Sequence, residues 1–189
     1  MGVDRDRAAR AVVELLTALG EDPSRPELAN TPQLVTDALA EFVAGIGVDA
    51  AELLTALEPA PSASEPIVVT NIALRSLCEH HLMPFIGHAH IAYVPGEFVT
   101  GLGKLSRVAE TVAAKPQIQE RLGEEIADAL ERGLTANGVL VVLDMSHQCV
   151  TSRGTRQVDS RTVTVASRGS LASPAARAEI MTLIGQANG

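Results

Sequence analysis

Apolar residues follow a helical rhythm in the N-terminal part of the chain and a strand-like rhythm beyond it. Ala8, Val12, Leu15, Leu16 and Leu19 recur on one face of a helix predicted from Asp4 to Leu19, which Gly20 ends. Glu21 to Asn30 is polar and holds two prolines, so it reads as a loop. Thr31-Pro32 marks a second helix start, with Thr as cap and Pro in the first turn. That helix is predicted to reach about Ala44, with Val35, Ala38, Leu39 and Phe42 on one face, and a short third one covers about Ala50 to Leu57. The Pro/Ser/Ala stretch Pro59-Ala60-Pro61-Ser62-Ala63-Ser64 is then a linker. This divides the chain into a helical arm (1–58), a linker (59–65) and a second domain (66–189).

Strands open the second domain. Ile67 to Leu77 and Gly87 to Val94 are predicted strands, and Lys104 to Ala114 and Pro116 to Ala136 predicted helices. The second of these helices is well patterned, with Ile118, Leu122, Ile126 and Leu130 on one face. Gly138 to Asp144 is an apolar run suited to a buried strand, Arg161 to Ala166 alternates Thr and Val, and Ser173-Pro174 starts a last helix. The order strand, strand, helix, helix, strand, strand gives an α+β class with an antiparallel four-stranded sheet and two long helices.

Composition narrows the function. The chain has 189 residues, 46% of them apolar, but no Trp, one Tyr and three Phe. A core of Ala, Val and Leu is thin per residue and favours burying further surface by self-association. The formal net charge of −8 offers no basic field for nucleic acid, so an anionic substrate must be met by a local cation cluster. No run of about 20 apolar residues is present to span a bilayer, so no membrane partner is expected. Residues 1–20 are charged and lack an apolar signal core, which points to a cytoplasmic, reducing location where cysteines stay thiols.

The two cysteines lie in two short stretches, Cys78-Glu79-His80-His81 and His147-Gln148-Cys149, which also hold three of the five histidines. Cys78-x-x-His81 has metal-ligand spacing, and Cys149 completes a set of three soft or borderline ligands. Three ligands with an open position describe a catalytic zinc; a fourth from His80 or His147 describes a structural one. Spacing leaves both open, along with two ordinary core cysteines. His80 and His147 are candidates for proton transfer beside the metal, since imidazole titrates near working pH. His88 and His90, two apart on the next strand, mimic a metal pair but read as structural or as supports behind the metal ligands. Gly101-Leu102-Gly103-Lys104-Leu105-Ser106-Arg107 opens a helix with Lys104 and Arg107 one turn apart, a seat for phosphate, and Arg153 adds a cation after Cys149. Glu120, beside Gln119, offers a carboxylate that can accept two parallel hydrogen bonds from a base edge.

Taken in order, four stretches resemble GTP cyclohydrolase I: Cys78 to Pro95, Gly101 to Arg107, Gln117 to Leu122 and His147 to Gly154. Thr31-Pro32 in the arm is also similar to that family. The resemblance implies a tunnelling fold (T-fold) domain behind a helical arm, a toroidal homodecamer with sites between subunits, and zinc-dependent conversion of GTP to 7,8-dihydroneopterin triphosphate and formate. Cys78, His81 and Cys149 are then the Zn2+ ligands, and zinc activates water for attack on purine C8. His80 and His147 move protons. Gln119 and Glu120 read guanine; Lys104, Arg107 and Arg153 hold the triphosphate.

Two positions depart from the family pattern. Gly103 stands where Ser is usual, and Leu34 where an Arg follows Thr-Pro. Both belong to the phosphate end, so a paralogue acting on another guanine nucleotide is an alternative, as is a non-enzymatic zinc-stabilised oligomer that binds purines. A zinc nucleobase deaminase is excluded, since neither His-x-Glu nor Pro-Cys-x-x-Cys occurs.

Overall fold

The computed structural model describes residues 2–55, 57–61 and 65–187. The helical arm consists of α1 (Arg5–Ala18) and α2 (Thr31–Phe42) packed on each other. Asp4 caps α1, its carboxylate accepting from the Arg7 N–H at 3.0 Å, and Gly20 follows with φ +88, a left-handed conformation suited to glycine. Asn30, rather than Thr31, occupies the cap position of α2, and Thr31 is its first residue. The arm is thinly buried: α1 contributes no buried residue and α2 only Thr36.

The expected third helix is a shorter 3-10 turn, Ala50–Leu53, and it belongs to the main core. Ala50 and Leu54 pack among the residues of the sheet domain, and Asp49 pairs with Arg132 at 2.9 Å. A two-residue strand, β1 (Glu58–Pro59), spans the expected boundary between arm and linker, and Ser62 to Ser64 of the linker lie outside the described residues. β1 pairs antiparallel with β4 (Phe98–Val99).

Four long antiparallel strands form the main sheet: β2 (Ile67–Cys78), β3 (Pro84–Val94), β6 (Gly138–His147) and β7 (Thr162–Gly169). A fifth, β5 (Pro116–Gln117), adds in parallel beside β2, giving the order β5-β2-β3-β6-β7. The expected helix from Pro116 therefore begins later, as α4 (Gln119–Leu134). The residues before it are drawn into the sheet, where Cys78 pairs with Gln117 and the Glu79 N–H donates to the Gln117 carbonyl at 3.0 Å.

α3 (Leu102–Ala113) and α4 cover one face of the sheet. Leu105, Val108, Leu122, Ile126 and Leu130 meet Leu74, Ile91, Val141 and Leu143 in one core. A smaller cluster on other sheet positions joins Ala92, Leu140 and Val142 to Ile180 and Ile184 of α6 (Pro174–Ala187). β6 reads as continuously apolar because its alternate residues are buried in two clusters. The architecture is α+β and T-fold-like. Among the described residues, no helix is long and apolar enough to cross a membrane.

Candidate active site

Register explains why two distant stretches meet. β2 and β3 pair antiparallel with Leu77 opposite Pro84, so Glu79 to Met83 form the connecting turn. β3 and β6 pair with Phe85 opposite His147, which places the end of β6 beside that turn. The turn is tight: Cys78 N–H donates to the Met83 carbonyl and Leu82 N–H to the Cys78 carbonyl, both at 2.8 Å, with Leu82 at φ 50. After His147 the chain enters one helical turn, α5 (Gln148–Thr151), which carries Cys149.

The result is a compact donor cluster. One ligand atom each from Cys78, His81 and Cys149 lies within 4.8 Å of the others, and Cys78 Sγ is 3.7 Å from His81 Nδ1. Both cysteines are free thiols. Burial, and then the neighbouring Cys78 sulfur, push the Cys149 thiol above its ordinary value. A bound cation beside a pair of sulfurs would favour their thiolate forms. Two thiolates and an imidazole suit zinc and leave a position open for water. Arg153 lies beside the cluster, with Nη1 3.4 Å from His81 Nε2 and 3.5 Å from the Cys149 carbonyl.

Three side chains that sequence reasoning left without a role secure the turn. Arg121 pairs with Glu79 and donates from Nε to Gln117 Oε1 at 2.9 Å. Gln117, fully buried, donates in turn to Glu125 at 2.8 Å. The Arg121 guanidinium holds the Glu79 carboxyl below its ordinary range. The detectable signal was the i, i+4 spacing of Gln117, Arg121 and Glu125.

His147 is half-buried and tightly placed. Its ring stacks on Phe85 with centroids 4.7 Å apart and planes 4° from parallel, and its Nε2 lies 2.8 Å from Gln119 Oε1. Burial pushes its pKa down, with Glu120 pulling weakly the other way. Gln119 is not where a base-reading residue belongs: it is 2% exposed and its amide is bonded within the protein. Glu120, one helical step on, is exposed and lines a cleft with Gly123, Thr164 and Ala166. His80 is exposed, its ring edge-on to His81 with centroids 6.2 Å apart.

The phosphate candidates are elsewhere on the chain. Lys104 sits in the first turn of α3 and donates to Thr55 Oγ1 at 3.1 Å, with Arg107 exposed one turn on. The far end of α3 approaches the metal cluster, where Ser76 Oγ donates to the Ala113 carbonyl at 2.6 Å. With about 1.5 Å of rise per residue, Lys104 is displaced toward the opposite end by more than about 10 Å. Lys104 and Arg107 therefore sit toward the end of α3 away from Ala113 and Ser76. His90 plays the structural part expected of it, Nδ1 accepting from the Asn71 N–H at 3.3 Å where β2 bulges. A side chain at Gly103 would meet open space, and Leu34 is 64% exposed.

The family model for GTP cyclohydrolase I matches residues 8–185. GTP cyclohydrolase 1 from Leifsonia xyli subsp. xyli (strain CTCB07) is 57% identical over 187 residues, which cover 97% of this chain and 97% of that protein. The protein of the same name from Carboxydothermus hydrogenoformans (strain ATCC BAA-161 / DSM 6008 / Z-2901) is 46% identical over 97% of this chain and 96% of its own length. That from Thermobifida fusca (strain YX) is 45% identical over 97% and 89%.

Proposed function

The chain belongs to the GTP cyclohydrolase I family, and we propose that it hydrolyses the imidazole ring of GTP to 7,8-dihydroneopterin triphosphate and formate, using zinc held by Cys78, His81 and Cys149. The observation that carries this reading is the convergence of those three ligands beside His147 and Arg153. When bound, zinc supplies Lewis acidity at a position open to water.

The chain's own residues do the rest. His147, desolvated and fixed against Phe85, holds or moves a proton at the reacting ring, and His80 serves from the exposed side of His81. The Glu120 carboxylate accepts from the adjacent N–H donors of guanine, which adenine lacks, and so selects the base. Arg153 brings positive charge to the substrate beside the ligand set. Lys104 and Arg107 hold phosphates in a site completed by a neighbouring subunit, a reading supported by their place toward the end of α3 away from Ala113 and Ser76. The assembly is a homo-oligomer, a decamer by family resemblance, in a reducing cytoplasm where the thiols persist.

Gly103 and Leu34 favour one refinement. They remove a hydroxyl donor and a cation from the phosphate end, so another guanine nucleotide is the alternative substrate. The test is to offer GTP, GDP and GMP to purified protein while following formate release and pterin fluorescence. Formate from GTP, abolished by chelation, supports the proposal; no formate from any guanine nucleotide removes it.

A further inference from the structure

Gln119 and Glu120 are adjacent in the first turn of α4, yet they face different surroundings. The Gln119 amide nitrogen lies 2.8 Å from the Thr162 carbonyl, 3.1 Å from the Leu143 carbonyl and 3.1 Å from Thr164 Oγ1. Two of those three neighbours are carbonyl oxygens, which only accept. Exchanging the amide oxygen and nitrogen would set oxygen against oxygen at both, so the network assigns the orientation. The atom turned toward His147 is consequently Oε1, at 2.8 Å, and an amide oxygen only accepts.

We infer that Gln119 is a positioning residue that fixes the His147 ring in place and holds it as its Nε2–H tautomer, with the lone pair on Nδ1, the nitrogen not bonded to Gln119. A neutral imidazole carries one N–H and one lone pair, so a donor at Nε2 places the lone pair on Nδ1. Phe85, stacked on the ring, restrains rotation out of plane, and the bond to Gln119 restrains rotation within it. The amide is tied to β6 through Leu143 and to β7 through Thr162 and Thr164, so the sheet itself sets the tautomer. Gln119 thus acts through His147 and not on the guanine edge.

The expected effect on turnover rests on the ring-opening reading; the tautomer does not. Two measurements keep them apart. Neutron diffraction from perdeuterated wild-type crystals grown well above the histidine range locates the ring deuteron directly. A deuteron on Nε2 alone is expected; one on Nδ1, or one on each nitrogen, overturns the assignment. Steady-state kinetics of Gln119→Met, which keeps length and removes both hydrogen-bonding ends, tests the consequence. The expected result is a fall in kcat of about 10²-fold, in the range of a general acid–base contribution, with KM within a few-fold and zinc content unchanged. A raised KM with kcat intact would instead place Gln119 on the substrate and overturn the inference, as would unchanged kinetics. Thr164→Val, which removes one side-chain anchor of the amide, serves should Gln119→Met fail to fold, and a smaller fall in kcat alone is expected of it. Wild-type protein that releases no formate from GTP would defeat the ring-opening reading while the diffraction result still decided the tautomer.

Discussion

Glu120 and His147 are the residues on which base choice and proton transfer are proposed to turn, and each can be tested by one substitution. Glu120→Gln keeps the size of the side chain but loses the charge and one of two acceptors. The expected loss is on the order of 100-fold in kcat/KM for GTP, the scale of a lost hydrogen bond to a charged group. Near-normal turnover in Glu120→Gln would show that the base is read elsewhere. His147→Ala and His80→Ala are expected to retain zinc, since neither belongs to the ligand cluster, while each slows turnover by about 10²–10⁴-fold. Loss of metal from either protein, read by elemental analysis, would mean the ligand set is different. His90 gives a pH-dependent stability term. Burial, with His88 adding, holds its pKa below the ordinary value, and Asp144 opposes. The unfolded chain therefore takes up the proton first as pH falls, so folded stability declines from about pH 6.5 downward toward the lowered folded value. His90→Asn, which keeps an acceptor for the Asn71 N–H, should show a shallower decline in denaturant midpoint over that window. An unchanged slope would remove His90 as the cause.

At the scale of elements, the cysteine–histidine turn could be placed between two strands from sequence because apolar alternation flanked it on both sides. What surrounds the turn was less legible. Pro116 and Gln117 read as the start of a helix, yet they pair with Cys78, because a helical pattern does not reveal that a sheet edge lies within reach. Gln119 read as a neighbour of Glu120 sharing its task; the 100° step of a helix turns it into the protein instead. Nothing in the local sequence marks Gly45. Its position is set by a contact distant in sequence: its N–H donates to the Ala114 carbonyl at 2.8 Å, and an added Cβ would lie 2.1 Å from the Thr111 carbonyl oxygen. Gly45→Ala is expected to destabilise the chain by about 2 kcal/mol or more, since backbone must move to admit the methyl. An unchanged urea midpoint would show that this join between the arm and α3 is soft.

Across the whole molecule, the thin core and the distribution of function point the same way. α1 buries no residue, Leu19 is 74% exposed, and Lys104 lies toward the end of α3 away from Ala113 and Ser76. A chain built so has most to gain from neighbours that cover its arm and complete its site. Composition favours self-association, and the place of Lys104 near the start of α3 is the reason to propose a site shared between chains. Mixing inactive Cys149→Ser with inactive Lys104→Ala, after dissociation and reassembly, should restore part of the activity if two subunits supply these residues. No recovery in mixed assemblies would confine the site to one chain. The central claim, zinc-dependent opening of the guanine ring at Cys78, His81 and Cys149, is tested most directly by counting formate released from GTP by native, chelated and zinc-restored protein. Formate production that vanishes on chelation and returns with about one zinc per chain is the expected result. Full formate release from metal-free protein would contradict it.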